Sequence, residues 1–200
     1  MGTELEWKYA VQNSSVLDEI LAWQEIQGRM LEAPRQYHMQ SVYYDTPDRR
    51  FSREHIAIRR RMENASSVIC VKAPLSNAAD PYLHGEWELE ANDLNVALPR
   101  LVALGAPAQL LEASSLDRLC RAEFLRRAVL LRFADGSTAE LALDDGTLSG
   151  PTRSAMFCEL ELELKSGAPD AARAFVESIA AHFSLSPQPL SKFARANALD

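Results

Sequence analysis

The sequence predicts an α+β domain: an antiparallel sheet or barrel of about eight strands, with helices packed outside it. Three observations predict it. Several segments alternate apolar and charged residues with the period of two that half-buried strands show. Most successive strands are separated by short hairpin-like turns, of which Asp135-Gly136 is the clearest. Between the strands lie apolar segments with helical spacing.

The elements follow in order. Leu5, Trp7 and Tyr9 alternate with Glu4, Glu6 and Lys8 in a first strand. Residues 13–26 read as a helix, with Ser15 as its cap and Asp18 three residues on. Residues 38–46 form a strand stopped by Pro47. Residues 55–63 and 66–74 form a hairpin around Glu63-Asn64, and residues 84–91 a further strand. From Asp93 to about Ser115 the chain reads as one or two helices broken near Gly105 and Pro107. A long strand from Phe124 turns at Asp135-Gly136 into another, and Asp145-Gly146 reads as a second turn before the strand at 156–165. Pro169 opens a helix through Phe183, and residues 190–199 form a short closing helix.

Composition narrows the classes. The 200 residues carry a net charge of -7, which argues against a uniformly basic nucleic-acid surface. Cys70, Cys120 and Cys158 are far apart and outside any CxxC pair, so buried free thiols in a reducing compartment are expected. No signal-peptide pattern and no membrane-length apolar run occurs, so a soluble cytoplasmic protein is expected, with one domain over residues 1–200. Walker, GxSxG and HExxH motifs are missing, and the four His are scattered.

The strands share a further feature. Glu86, Glu88 and Glu90 lie on one face of theirs, as do Glu140 and Asp144, and Glu159, Glu161 and Glu163. Arg59 and Arg61 share a face, Lys72 ends the next strand, and Arg126 and Arg127 begin another. Like charges on one strand face repel. A solvated sheet face would accommodate them, and so would a barrel lumen that holds a charged ligand. Arg and Lys suit phosphate oxygens. Asp and Glu suit Mg²⁺ or Mn²⁺. Together they describe a metal–polyphosphate site.

The opening Glu-x-Glu-x-Lys of "ELEWK" resembles the signature of the CYTH superfamily, the triphosphate tunnel metalloenzymes. "VYYDTPDRRF", "IAIRRRME", "ICVKAP", "GEWELE", "FLRRAV", "AELALDDG", "CELELELKSG" and "LSKFAR" are similar to the family's later motifs, in order, over nearly the whole chain. Arg60 departs from the pattern, standing where an apolar residue is usual. The resemblance implies a closed eight-stranded antiparallel barrel around a tunnel that binds a triphosphate with Mg²⁺ or Mn²⁺ and often hydrolyses it. Carried over by motif, Lys8, Arg59, Arg61, Lys72, Arg126 and Lys192 would bind phosphate, with Glu88 among the substrate-binding residues. Glu4, Glu6, Asp144, Glu159 and Glu161 would hold metal, and Lys8 and Asp144 would take part in catalysis. Glu88 competes with Glu86 and Glu90, Arg126 with Arg127, and the pair Glu159 and Glu161 with Glu161 and Glu163.

Metal-dependent hydrolysis of inorganic triphosphate is the expected activity, since that substrate needs no organic pocket. An adenylyl cyclase or a thiamine-triphosphatase is the alternative within the family. A non-enzymatic polyphosphate or nucleotide sensor is the alternative outside enzymes, and the six carboxylates argue against it. Arg195 reads equally as a base at the tunnel mouth and as a helix-surface charge.

Overall fold

The computed structural model describes residues 2–74 and 83–199, and for residues 2–4 and 83–84 the backbone alone. Nine strands form one antiparallel sheet: β1 (Gly2–Val11), β2 (Arg35–Asp45), β3 (Ala57–Glu63), β4 (Ser66–Pro74), β5 (Leu83–Glu90), β6 (Asp117–Arg132), β7 (Thr138–Ser149), β8 (Ser154–Ser166) and the two-residue β9 (Ser186–Pro187). Their order is β5-β4-β3-β2-β6-β7-β8-β1-β9.

The sheet curls round without closing, since the residues of β1 that meet β5 are not those that meet β8. Residues 2–5 of β1 pair with β5, residues 6–11 pair with β8, and Tyr9 and Ala10 also pair with β9. This corrects the expected ring of eight strands on two points. Among the described residues there are nine strands, and the sheet is not closed: β1 meets β5 along four residues only, and beyond them β9, carrying Pro187, lies along β1 instead.

The alternation in the sequence is explained by what covers each face. Outside one half of the sheet lie α1 (Ser14–Ala22), α2 (Gln24–Gln27) and α5 (Pro169–His182). Leu17, Ile20, Ile26, Val176 and Ile179 pack there on Trp7, Leu141, Leu143, Leu160 and Leu162. Outside the other half, α4 (Leu94–Ala103) and Phe51 of α3 (Arg50–Arg53) cover Ile58, Ile69, Val71 and Trp87. The leucines between the acids thus face outward under helices, and the acids face inward.

A third apolar cluster lies inside. Met39, Tyr43, Ala122, Phe124, Leu148 and Phe157 pack with Ala196 of α6 (Lys192–Asn197). The closing helix therefore fills one end of the sheet's concave side and leaves the charged remainder open.

Two local readings are corrected. The α1 cap is Asn13, whose side chain accepts from the Val16 amide; Ser15 donates to that same oxygen. Asp145-Gly146 is not a turn, because β7 runs through it and pairs with Phe124 and Leu125 of β6. A Cβ on Gly146 would lie 2.2 Å from the Glu123 carbonyl, so glycine here permits close backbone approach rather than a bend. The turn comes later, where the Gly150 amide donates to the Arg153 carbonyl. The Asp135-Gly136 turn, the Glu63-Asn64 hairpin and the helix break at Gly105 are as expected.

Candidate active site

The charged inner face encloses a cavity of about 580 Å³. All six expected phosphate-binding bases line it: Lys8 from β1, Arg59 and Arg61 from β3, Lys72 from β4, Arg126 from β6 and Lys192 from α6. Strand parity brings the five strand residues there, each at an inward position, Arg126 among them. Its neighbour Arg127 faces out and pairs with Asp18 of α1.

The carboxylates divide into two groups. Asp144, Glu159 and Glu161 come together, with one oxygen of each within 4.8 Å of the others. Asp144 and Glu159 are fully buried. Arg126 grips Asp144 with Nε to Oδ1 at 2.8 Å and Nη2 to Oδ2 at 2.7 Å, and reaches Glu161 Oε2 at 2.5 Å. Lys192 Nζ donates to Glu161 Oε1 at 2.8 Å, lies 2.8 Å from Asp144 Oδ2, and bonds Glu159. Arg195 bonds the other Glu159 oxygen, and its side chain does not line the cavity. It is neither a mouth residue nor a surface charge but a partner of a buried acid.

The second group is Glu6 of β1 with Glu86 and Glu88 of β5. Glu6 takes Lys72 Nζ at 2.8 Å and Lys8 Nζ at 3.2 Å. Glu86 pairs with Arg59 at 3.0 Å and Glu88 with Arg61 at 2.8 Å. Glu90 is exposed and does not line the cavity. Glu6 lies outside the close Asp144–Glu159–Glu161 group, on the strand next to that of Glu161, whose charge acts on it. The backbone of Glu4 lies in β1, while its side chain falls outside the described residues.

The charges are mutually held. Burial works against the Lys192 ammonium, but Asp144, Glu161 and Glu159 keep it protonated far above the usual range. Burial likewise opposes ionisation of Glu161, and Lys192, Arg126 and Lys8 overcome it, holding that carboxyl well below its usual range. Burial pushes Glu159 up to about 7, against the pull of Lys192 and Arg195 and helped by the adjacent Glu161. Glu86 is brought down to about 2, since Arg59, the Cys70 thiol and Lys72 outweigh its burial.

The lining extends beyond the residues carried over by motif. Glu140, Glu163 and Lys165 extend the charged wall, and Tyr37, Met39, Phe124 and Phe193 give it an apolar side. Glu140 and Glu163 were legible as inward positions of acidic strands. The apolar side was not, because it joins β2, β6 and the helix α6, which are brought together only by the tertiary fold. Cys70 and Cys120 are buried free thiols as expected, whereas Cys158 is half-buried.

Three hard oxygen donors at this spacing could hold a metal ion. Among the described residues, no helix is long and apolar enough to cross a membrane.

Residues 2–196 match the family model of the CYTH domain. Among solved structures, the chain is similar to a Hippeastrum protein described as an adenylyl cyclase candidate with a dominant triphosphatase activity. That pair is 15% identical, with 99% of this chain and 96% of the other covered and a TM-score of 0.63. An adenylate cyclase candidate from Bacillus halodurans is 19% identical, with 96% of each chain covered and a TM-score of 0.57. The mimivirus capping-enzyme triphosphatase is 11% identical, with 90% of this chain and 89% of the other covered and a TM-score of 0.50.

Proposed function

Because the chain belongs to the CYTH domain family, we propose that it hydrolyses a triphosphate inside its charged cavity. In this reading inorganic triphosphate is the substrate, and diphosphate and phosphate are the products. The observation that carries it is the convergence of six bases, from four strands and one helix, on one cavity beside a carboxylate triad. So many cations at one place suit a ligand with many anionic oxygens. Kinship in fold with the Hippeastrum and mimivirus triphosphatases supports the same reading. The eight longer strands would form the walls of the family's tunnel.

Lys8, Arg59, Arg61, Lys72, Arg126 and Lys192 bind the phosphates and neutralise charge that builds on the leaving diphosphate. Glu88 orients Arg61 for that contact. Asp144, Glu159 and Glu161, with Glu4 and Glu6 as further carboxylates, would hold Mg²⁺ or Mn²⁺, which supplies charge neutralisation and a more acidic bound water. Asp144 orients the attacking water and accepts its proton, with Lys8 assisting. The protein acts in the cytoplasm as one domain.

A second reading within the family, an adenylyl cyclase or a thiamine-triphosphatase, is favoured by one feature. Tyr37, Met39, Phe124 and Phe193 could stack an organic ring. Release of phosphate is measured from inorganic triphosphate, thiamine triphosphate and ATP, each with and without Mg²⁺ or Mn²⁺. Fastest metal-dependent release from inorganic triphosphate supports the first reading. Preference for an organic substrate, or a cyclic product from ATP, supports the second. Tight binding with no turnover of any would replace both by a polyphosphate sensor.

A further inference from the structure

Lys192 occupies the carboxylate triad as a cation would. Its ammonium meets Asp144 Oδ2 and Glu161 Oε1, each at 2.8 Å, and also bonds Glu159. These are the same three acids that could hold a divalent cation.

The local charge is already balanced. Three carboxylates are bonded directly by three cations: Arg126 on Asp144 and Glu161, Lys192 on all three, and Arg195 on Glu159. Lys8, paired opposite Glu161 across β1 and β8, adds positive charge nearby. The surroundings screen poorly. Lys192 Nζ lies 5.2 Å from the Phe124 ring centre and 5.5 Å from that of Phe157, while Asp144 and Glu159 are fully buried. A divalent cation added beside an unmoved Lys192 would leave two positive charges uncompensated in this setting, which is strongly unfavourable.

Free metal must therefore displace the ammonium, and the ammonium is tethered. Ser191 caps α6, accepting from the Ala194 amide at 3.1 Å. Phe193 packs on Tyr43 with ring centres 5.1 Å apart, and Arg49 donates to Asn197 at 3.0 Å. A tethered group competes at high effective concentration. Lys192 also lines the cavity, so anionic oxygens placed there would offer its ammonium other partners.

We propose that Lys192 is a built-in competitor that closes the Asp144–Glu159–Glu161 triad to free divalent cations. It yields the triad when a triphosphate in the cavity takes over its ammonium, a half that rests on the function proposed above. Metal and triphosphate then load together, and neither acid cluster nor helix alone sets the order.

The test is titration of Mn²⁺ into the full chain without phosphate, followed by loss of the free Mn²⁺ electron paramagnetic resonance signal. Wild type, Lys192→Met and Phe193→Ala are compared. The second variant keeps every charge and loosens α6. Lys192→Met is expected to bind Mn²⁺ about tenfold more tightly than wild type. Phe193→Ala is expected to move the same way by a smaller factor. A methylene-bridged triphosphate analogue should narrow the gap between wild type and Lys192→Met. Equal or weaker Mn²⁺ binding by a Lys192→Met protein with native circular dichroism overturns the proposal. If that variant does not fold, unchanged binding by Phe193→Ala overturns it. Wild-type hydrolysis of inorganic triphosphate is followed alongside. Hydrolysis with no difference in Mn²⁺ affinity overturns the competition and leaves the proposed function standing. No hydrolysis, with Lys192→Met still the tighter binder, supports the competition and removes the function.

Discussion

Arg126 holds Asp144 through two parallel hydrogen bonds, at 2.8 Å and 2.7 Å, between neighbouring strands where the two residues stand directly opposite. The fork geometry suits a carboxylate as no single ammonium can. Asp144 is fully buried, so its charge depends on this grip and on Lys192. Arg126→Ala should cost about 3–5 kcal/mol, the range for stranding one member of a buried pair. Urea unfolding measures it. A loss under about 1 kcal/mol would mean that Lys192 alone satisfies Asp144.

Glu86 predicts a pH dependence. Its folded-state pKa is lowered from 4.5 to about 2, chiefly by Arg59 against its burial. The stability it contributes is thus present above pH 4.5 and is lost as pH falls towards 2. Wild type should exceed Glu86→Gln by at most about 3 kcal/mol at pH 7. The gap should close between the two pKa values. A gap independent of pH in denaturant titrations would contradict the pairing.

Asp45 predicts a structural effect away from the cavity. Its carboxylate accepts from the amides of Thr46 at 2.7 Å and of Phe51 and Ser52 at 2.9 Å, and from the Ser52 hydroxyl at 2.5 Å. It thereby folds residues 46–52 beneath β2 and seats Phe51 in the outer core. An Asn amide nitrogen cannot accept, so Asp45→Asn should cost about 2–4 kcal/mol. Thermal unfolding measures this, and an unchanged midpoint would show the loop to be held by other contacts.

Gly146→Ala should cost about 1–3 kcal/mol, because the added methyl would press on the Glu123 carbonyl and the Phe124 Cβ. A neutral result in chemical denaturation would show that β6 and β7 separate at that point without penalty.

The fold was largely legible because the sheet has two different faces. Leucines at 141, 143, 160 and 162 and acids at 140, 144, 159 and 161 alternate cleanly, and the structure turns them to opposite sides. Where both faces are apolar, parity is not readable. Phe124 and Ala128 flank Arg126 as Leu125 and Val129 flank Arg127, and only tertiary contact with Asp18 and Asp144 separates the two arginines. Asp145-Gly146 misled for a related reason, since a glycine that admits a neighbouring backbone looks in sequence like a glycine that turns. The convergence of Lys192 and Arg195 on Glu159 joins residues more than thirty apart, and no local pattern encodes it.

Phosphate release from inorganic triphosphate with Mg²⁺, compared between wild type and Glu161→Gln, decides whether the cavity is a metal-dependent triphosphatase site. Glu161 joins Arg126 to Lys192 and lies in the triad, so its charge serves both cation and phosphate sides of the site. Wild type should release phosphate in a Mg²⁺-dependent way and the variant at least about a hundredfold less, the scale of removing one preorganised electrostatic contact. Wild-type release that needs no divalent cation, or a folded Glu161→Gln protein with full activity, would contradict that assignment.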